Sequence, residues 1–262
     1  MLNLGALTLK DLSVTGQVQL LATGQVSGGH VEVDGLDISE ADTTSALPRP
    51  NDYGVAVLQG AFTLWNQQPD GSVTVTANIR NLSIGRATAP VFGSGVVLSG
   101  AGNHGGQVVV EQLQSQAVYS NGRIVPGTSD VISCGVLISY DVSVSLVRNM
   151  GVVTTYGPND MALDNWGTVD RWIAAEKITT YGPSGIGFVN FGQLGLLRVE
   201  APIETFGLGA RGFNVYTGTV AFAAFDRIVT HGDGAVGVQI AQPVGELAFQ
   251  RGIETFGATV LR

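Results

Sequence analysis

The sequence predicts an all-β fold, a single-stranded parallel β-helix, with 25-residue coils in its C-terminal half and longer coils carrying loop insertions in its N-terminal half. Two observations carry that prediction. One short pattern returns at constant spacing, and glycine interrupts every apolar run before a helix could form. The pattern reads Val153-Thr-Thr-Tyr-Gly, Ile178-Thr-Thr-Tyr-Gly, Ile203-Glu-Thr-Phe-Gly, Ile228-Val-Thr-His-Gly and Ile253-Glu-Thr-Phe-Gly, with 25 residues between successive first positions.

Other positions share the period. Nine residues after the first position stand Ala162, Gly187, Gly212 and Gly237, followed by Leu163, Phe188, Phe213 and Val238. Sixteen residues on come Val169, Leu194, Thr219 and Val244, and nineteen on come Trp172, Leu197, Phe222 and Leu247. Each coil therefore holds three short apolar segments separated by glycine-rich corners, and their alternation and β-branching favour strands. One such segment cannot bury its apolar face alone. Stacking coils about 4.8 Å apart sets like residues above one another and closes a core. Pointing the first-position isoleucine inward sends the third-position threonine inward too and the residue between them outward.

The N-terminal half stretches the same pattern. A Gly-Val segment begins at Gly54, Gly95 and Gly135, another strand segment at Val31, Val73, Val108 and Val142, and Val118-Tyr-Ser-Asn-Gly matches the Ile-x-Thr-aromatic-Gly position. The extra length falls at two corners. One takes residues 47–52, 87–94 and 123–130; the other takes 60–72, with Trp65, and 99–106, with His104. Loops inserted at recurrent corners line one edge of a solenoid and are commonly its working surface. Asn51, Asp52, Arg123, Asp130, Asn159, Asp160 and Trp65 are the binding residues this predicts. Residues 1–262 read as one domain, with 1–30 a candidate N-terminal cap and 153–262 the regular repeats.

Composition narrows the function. At 44% hydrophobic residues the chain has enough apolar side chains for a core, which excludes disorder, and glycine lacks the G-X-Y period of collagen. A net charge of −8, with lysine only at Lys10 and Lys177, argues against nucleic acid and anionic membranes. No apolar run approaches the ~18 residues of a spanning helix, and the N-terminus lacks the charged and apolar regions of a signal peptide. Cys134 is the single cysteine, so neither an intrachain disulfide nor a zinc site of several cysteines is available; it reads as a small core residue rather than a reactive thiol. No cofactor and no metal are expected.

The run Ile-x-Thr-x-Gly-x-Gly-Ala-x-Gly-Val at residues 228–238 resembles the passenger β-helices of bacterial autotransporters. The 25-residue coil resembles the wider pectin-lyase-like right-handed β-helix class, over roughly residues 54–262. That class includes polysaccharide lyases, glycoside hydrolases and tailspikes as well as adhesins, so the resemblance implies architecture more than activity. It implies a secreted or cell-surface location. Its lyases pair calcium-binding aspartates with an arginine base, but the polygalacturonase signatures are absent, and Asp226-Arg227-Ile228-Val229 is a poor substitute for Arg-Ile-Lys.

Each candidate site has a structural competitor. Gly207-Leu-Gly-Ala-Arg-Gly and Gly232-Asp-Gly-Ala-Val-Gly fit a dinucleotide loop, yet both lead into a predicted strand, where a pyrophosphate site needs a helix. His231 has Asp233 nearby, but its column reads Tyr156, Tyr181, Phe206, His231, Phe256, which makes it an aromatic stacking position. His30 and His104 lie in glycine-rich turns and are expected in solvent. Asp160 and Asp164 share a corner, and stacking could bring Asp130 near them, as a glycosidase pair would require. The aromatic column either lies outside as a platform for sugar rings or turns inward as core. Packing in the core or under a loop is the expectation.

The expected function is therefore a secreted or surface-exposed binding β-helix that displays its corner loops toward carbohydrate or a protein partner. The alternative is a polysaccharide lyase or glycoside hydrolase with carboxylates on the inserted-loop corner. A tailspike-like trimer is a third arrangement. The fifth repeat, from Ile253, matches the interior ones, which predicts either a longer solenoid or self-association through that C-terminal edge.

Overall fold

The structure, a computed structural model, describes residues 5–24 and 26–258. Its strands form two sheets, of fifteen and ten strands. Successive coils pair in parallel, and two of the predicted columns are in register through the regular repeats. Ile178, Ile203, Ile228 and Ile253 lie in line in the larger sheet, and Phe188, Phe213 and Val238 in the smaller. The predicted parallel β-solenoid is the observed fold.

A regular coil has three strands. Thr168–Ala174 and Ile178–Thr180 belong to the larger sheet, and Ile186–Asn190 to the smaller. In the N-terminal half the first two merge into one long strand, as in Gly28–Glu40, Thr74–Ile84 and Gln107–Asn121. The last of these pairs with both Val142–Asn149 and Val153–Thr155, which is where the coil divides into separate strands. Residues 6–15 and 18–22 are strands that pair with Gly28–Glu40 and Gly60–Asn66.

The isoleucine column is the spine of the core. Ile38, Ile84, Val118, Val153, Ile178, Ile203 and Ile228 follow one another in register and are all fully buried. Two residues on, Thr155, Thr180, Thr205 and Thr230 also point inward, and their hydroxyls have no hydrogen-bond partner. Across the tube Trp172 packs edge-on against Phe188, centroids 5.0 Å apart, and its indole N–H donates to Asn149 Oδ1 at 2.8 Å.

Three registers differ from the sequence reading. Val220, not Thr219, aligns with Leu194, and Ala223, not Phe222, aligns with Leu197. The extra residue is taken up at the turn around Gly218, whose φ is +71°. A one-residue slip exchanges the faces of a strand, so Ala223 is buried and Phe222 is turned outward, and Val244 restores the period opposite Val220. Residues 54–57 are not a coil strand either. Phe62 is the partner of Val96, so Gly60–Asn66, expected as an insertion, is the coil strand. Asn51–Asp52 and Val55–Val57 form an antiparallel hairpin that leaves the coil and pairs with Val131 and Ile132. Lastly Val75, not Val73, aligns with Val108, and Gly29, not Val31, aligns with Val75. These slips are even, so the facing of the strands survives them.

The aromatic column lies outside, contrary to the expectation of core or covered packing. Tyr156, Tyr181, Phe206, His231 and Phe256 stack as a ladder along the larger sheet, with centroids 4.5–5.5 Å apart. Tyr181 is 47% and Phe256 63% exposed. Tyr156 alone is tied to a loop, its hydroxyl donating to the Ala87 carbonyl at 2.9 Å. The glycine after each ring permits this close stacking: a Cβ on Gly207 would overlap the carbonyl oxygen of Gly182.

Candidate functional site

Alternation along the smaller sheet leaves half its side chains outside the tube. These are apolar here: Val97, Leu137 and Val189 form one outer column, and Cys134, Met161 and Ile186 the next. Trp166 and Ile132 join them in a second apolar cluster, separate from the main core. An apolar outer face needs a cover, and the inserted segments supply it. The 51–57 hairpin presents Tyr53 and Val55, and the 122–130 loop presents Gly127, Thr128 and Ser129.

Aromatic contacts fix the hairpin. Tyr53 stacks on Phe191 with centroids 4.6 Å apart and meets Trp166 edge-on at 5.4 Å. Phe191 in turn stacks on Tyr216 at 5.0 Å. The loop is held by Asn159, whose Nδ2 donates to the Thr128 carbonyl at 2.6 Å. Between hairpin, loop and sheet runs a cleft of about 550 Å³, floored by Ile132, Met161, Ile186 and Val189 and rimmed by Asn159, Ser184 and Arg211. That size and apolar lining suit a small organic ligand.

One carboxyl group breaks the apolar floor. Asp164 sits in the outer column between Leu137 and Val189, fully buried. Its Oδ2 accepts from the Cys134 thiol at 3.7 Å, and its Oδ1 makes no hydrogen bond of normal geometry, although the Trp166 indole is close enough to lower its pKa. Burial holds its pKa well above the ordinary carboxylate range. Burial, reinforced by the nearby Asp164 and Asp160, likewise pushes the Cys134 thiol up, so this cysteine is an enclosed, protonated thiol and no nucleophile.

Asp160 plays a different part. Ser133 Oγ donates to it at 2.6 Å, Gly157 N at 2.6 Å and Gly122 N at 3.2 Å, which ties three segments together. Burial outweighs these donors and pushes its pKa up to about 6. Asp160, expected as a binding residue, is thus buried inside the wall with its oxygens taken by protein donors. Trp65, also expected as a binding residue, is buried in a coil strand, and its indole N–H donates to the Gly100 carbonyl at 2.8 Å.

The other predicted residues disperse. Asn159 lines the cleft. Asn51 and Asp52 lie on the hairpin but face a separate polar notch of about 350 Å³, together with His104 and Tyr140. Asp130 is exposed and contributes its backbone, accepting from Ala56 N at 2.8 Å, rather than a carboxylate beside Asp160. Arg123 lays its guanidinium over Phe92, 4.3 Å from the ring centroid. His30 is exposed, with Thr76 Oγ1 2.9 Å from its Nδ1. Both glycine-rich loops lead into strands, Arg211–Val215 and Val236–Ile240, which removes the dinucleotide reading.

Tyr53, Phe191, Tyr216 and Arg211 are cleft residues the sequence reading missed. A signal for the aromatic wall was present: Trp166, Phe191 and Tyr216 are spaced 25 residues apart, a second aromatic column in the repeat. Among the described residues no group of three or more His, Cys, Asp or Glu could hold a metal ion, and no helix is long and apolar enough to cross a membrane. The chain matches no known family model, and no curated protein or solved structure is significantly similar to it.

Proposed function

We propose that this chain is a binding module, a β-solenoid that uses its inserted hairpin and loop to hold a small ligand with an apolar body against the outer face of the ten-stranded sheet. The observation that carries this reading is the cleft itself: an apolar outer face, covered only in part, with the opening lined by aromatic rings and a few polar groups. An extracellular or cell-surface setting belongs to the same proposal and rests on the resemblance of the coils to secreted β-helices.

Binding is favoured over glycan cleavage because the candidate carboxylates are engaged or isolated. Asp160 is saturated by its donors, and Asp164 faces a thiol and apolar side chains rather than a second carboxylate. The aromatic ladder is also a weak platform for a polysaccharide. Each ring's face is taken by the next ring, so the ladder offers edges, where sugar stacking needs faces. Saturation-transfer NMR with a mixed set of glycans and apolar-bodied fragments tests the proposal. Fragments are expected to bind and to lose their signal in Tyr53→Ala. Glycan binding that is indifferent to Tyr53→Ala would overturn it.

A further inference from the structure

We infer that the ligand of this cleft is an organic cation, an ammonium group on an aromatic or branched aliphatic body, and that Asp164 receives the ammonium. The inference rests on the cleft being the binding site and adds the ligand's chemical class.

The argument begins with an incomplete hydrogen-bond account. A buried carboxyl group is costly unless paired, and structures normally pair it. Asp164 lines the cleft with Oδ1 unpartnered, although it is fully buried. The groups that face it are Cys134 from the preceding coil, Tyr53 from the hairpin and the neutral indole N–H of Trp166, while Asp52 and Asp160 act on Tyr53 and Cys134. None of these is a cation. Arg211 reaches the cleft from two coils away, but its Nε donates to Gln239 Oε1 at 2.9 Å and a second nitrogen to the Gly209 carbonyl at 3.4 Å. The positive partner that would complete Asp164 is therefore absent from the protein side of the cleft.

The surroundings fit that missing partner. Tyr53, Phe191 and Tyr216 give the wall an aromatic lining stacked ring on ring, and Ile132, Met161 and Ile186 give an apolar bed for the body of the molecule. A neutral ligand could instead accept a hydrogen bond from protonated Asp164. The two cases differ in the sign of their pH dependence. An ammonium that binds ionised Asp164 releases the carboxyl proton, so affinity rises with pH. A neutral acceptor needs that proton, so its affinity falls as pH rises.

The test compares phenethylammonium with 2-phenylethanol and 3-phenylpropionate by isothermal titration calorimetry between pH 6 and 8, using wild type, Asp164→Asn and Tyr53→Ala. Phenethylammonium is expected to bind about tenfold or more tighter than the alcohol, a difference of about 1.4 kcal/mol. Its affinity should rise with pH, with proton release seen as a buffer-dependent enthalpy. Asp164→Asn, checked for an unchanged melting profile, should abolish the preference while leaving weak binding of the alcohol. Tyr53→Ala should weaken both. Equal or tighter binding of the alcohol, affinity that falls with pH, or indifference of the ammonium to Asp164→Asn would overturn the inference. If neutral fragments bind in a Tyr53-dependent way while the ammonium does not, the ligand class is wrong and the cleft reading stands. If no probe responds to Tyr53→Ala, both fail.

Discussion

His231 stacks on Phe206 with centroids 4.5 Å apart and planes within 7°, and its Nε2 lies 2.8 Å from Glu204 Oε1. The imidazole thus occupies a ring position in a ladder whose other members are tyrosine and phenylalanine. His231→Phe should keep the stack between Phe206 and Phe256 and surrender the contact with Glu204, which retains Lys177. The variant is expected to stay within about 1 kcal/mol of wild type in urea denaturation and to bind cleft ligands unchanged. A larger loss, or altered binding, would assign the histidine a role beyond stacking.

Ile203 and Glu204 are neighbours with opposite facing. Ile203→Ala empties a fully buried position between Ile178 and Ile228 and should cost about 2–5 kcal/mol. Glu204→Ala removes a partly exposed carboxylate that bridges Lys177 and His231, and should cost about 1 kcal/mol or less. Equal costs measured by chemical denaturation would contradict the assigned facing.

The inner threonine column makes a prediction of opposite sign. The buried Thr205 hydroxyl has no hydrogen-bond partner, so it adds a desolvation cost without a compensating bond. Thr205→Val keeps the shape and removes the hydroxyl, and should raise stability by about 0.5–1.5 kcal/mol. A destabilised Thr205→Val protein would show that the hydroxyl is satisfied in solution.

Regular coils were legible because equal spacing fixes register: once Ile178, Ile203 and Ile228 align, the rest of the coil follows. Gly218 marks where that logic slipped, since one added residue exchanges Phe222 for Ala223 without disturbing the isoleucine column. In the N-terminal half insertions of unequal length hide the register, and Gly54-Val-Ala-Val imitates a coil strand although its segment folds back as a hairpin. The ladder's direction depended on whether the glycine after each ring bends the chain, which composition does not reveal. The cleft depends on where the hairpin and loop lie over the outer face. Sequence supplied the insertions and the Trp166, Phe191, Tyr216 column, but not their meeting.

Asp160 gives the protein an acid-shifted stability profile. Its folded pKa of about 6 stands above the ordinary value of 3.8, so between those values the folded state holds a proton the unfolded chain has lost. Stability from this group is fully present below about pH 4 and falls as pH rises toward 6, by a few kcal/mol at most. Asp164, raised by burial, acts in the same direction. Asp226, held down by its hydrogen bonds to Arg251, works the other way and loses its contribution as pH falls below 4. Denaturation at constant ionic strength should find the protein more stable at pH 4.5 than at pH 7.5, with a smaller difference in Asp160→Asn. Stability that climbs across this interval would contradict the assignment.

The claim that ligands bind on the outer face of the ten-stranded sheet, and not along the aromatic ladder, is tested most directly by methyl-resolved NMR during titration with phenethylammonium and the fragment set. Met161 and Ile186 line the cleft, whereas Val229 lies on the outer face of the larger sheet, two residues before His231 of the ladder. The account predicts that the Met161 and Ile186 methyl resonances shift with saturation while those of Val229 stay fixed. Shifts at Val229 with Met161 and Ile186 unmoved would contradict it.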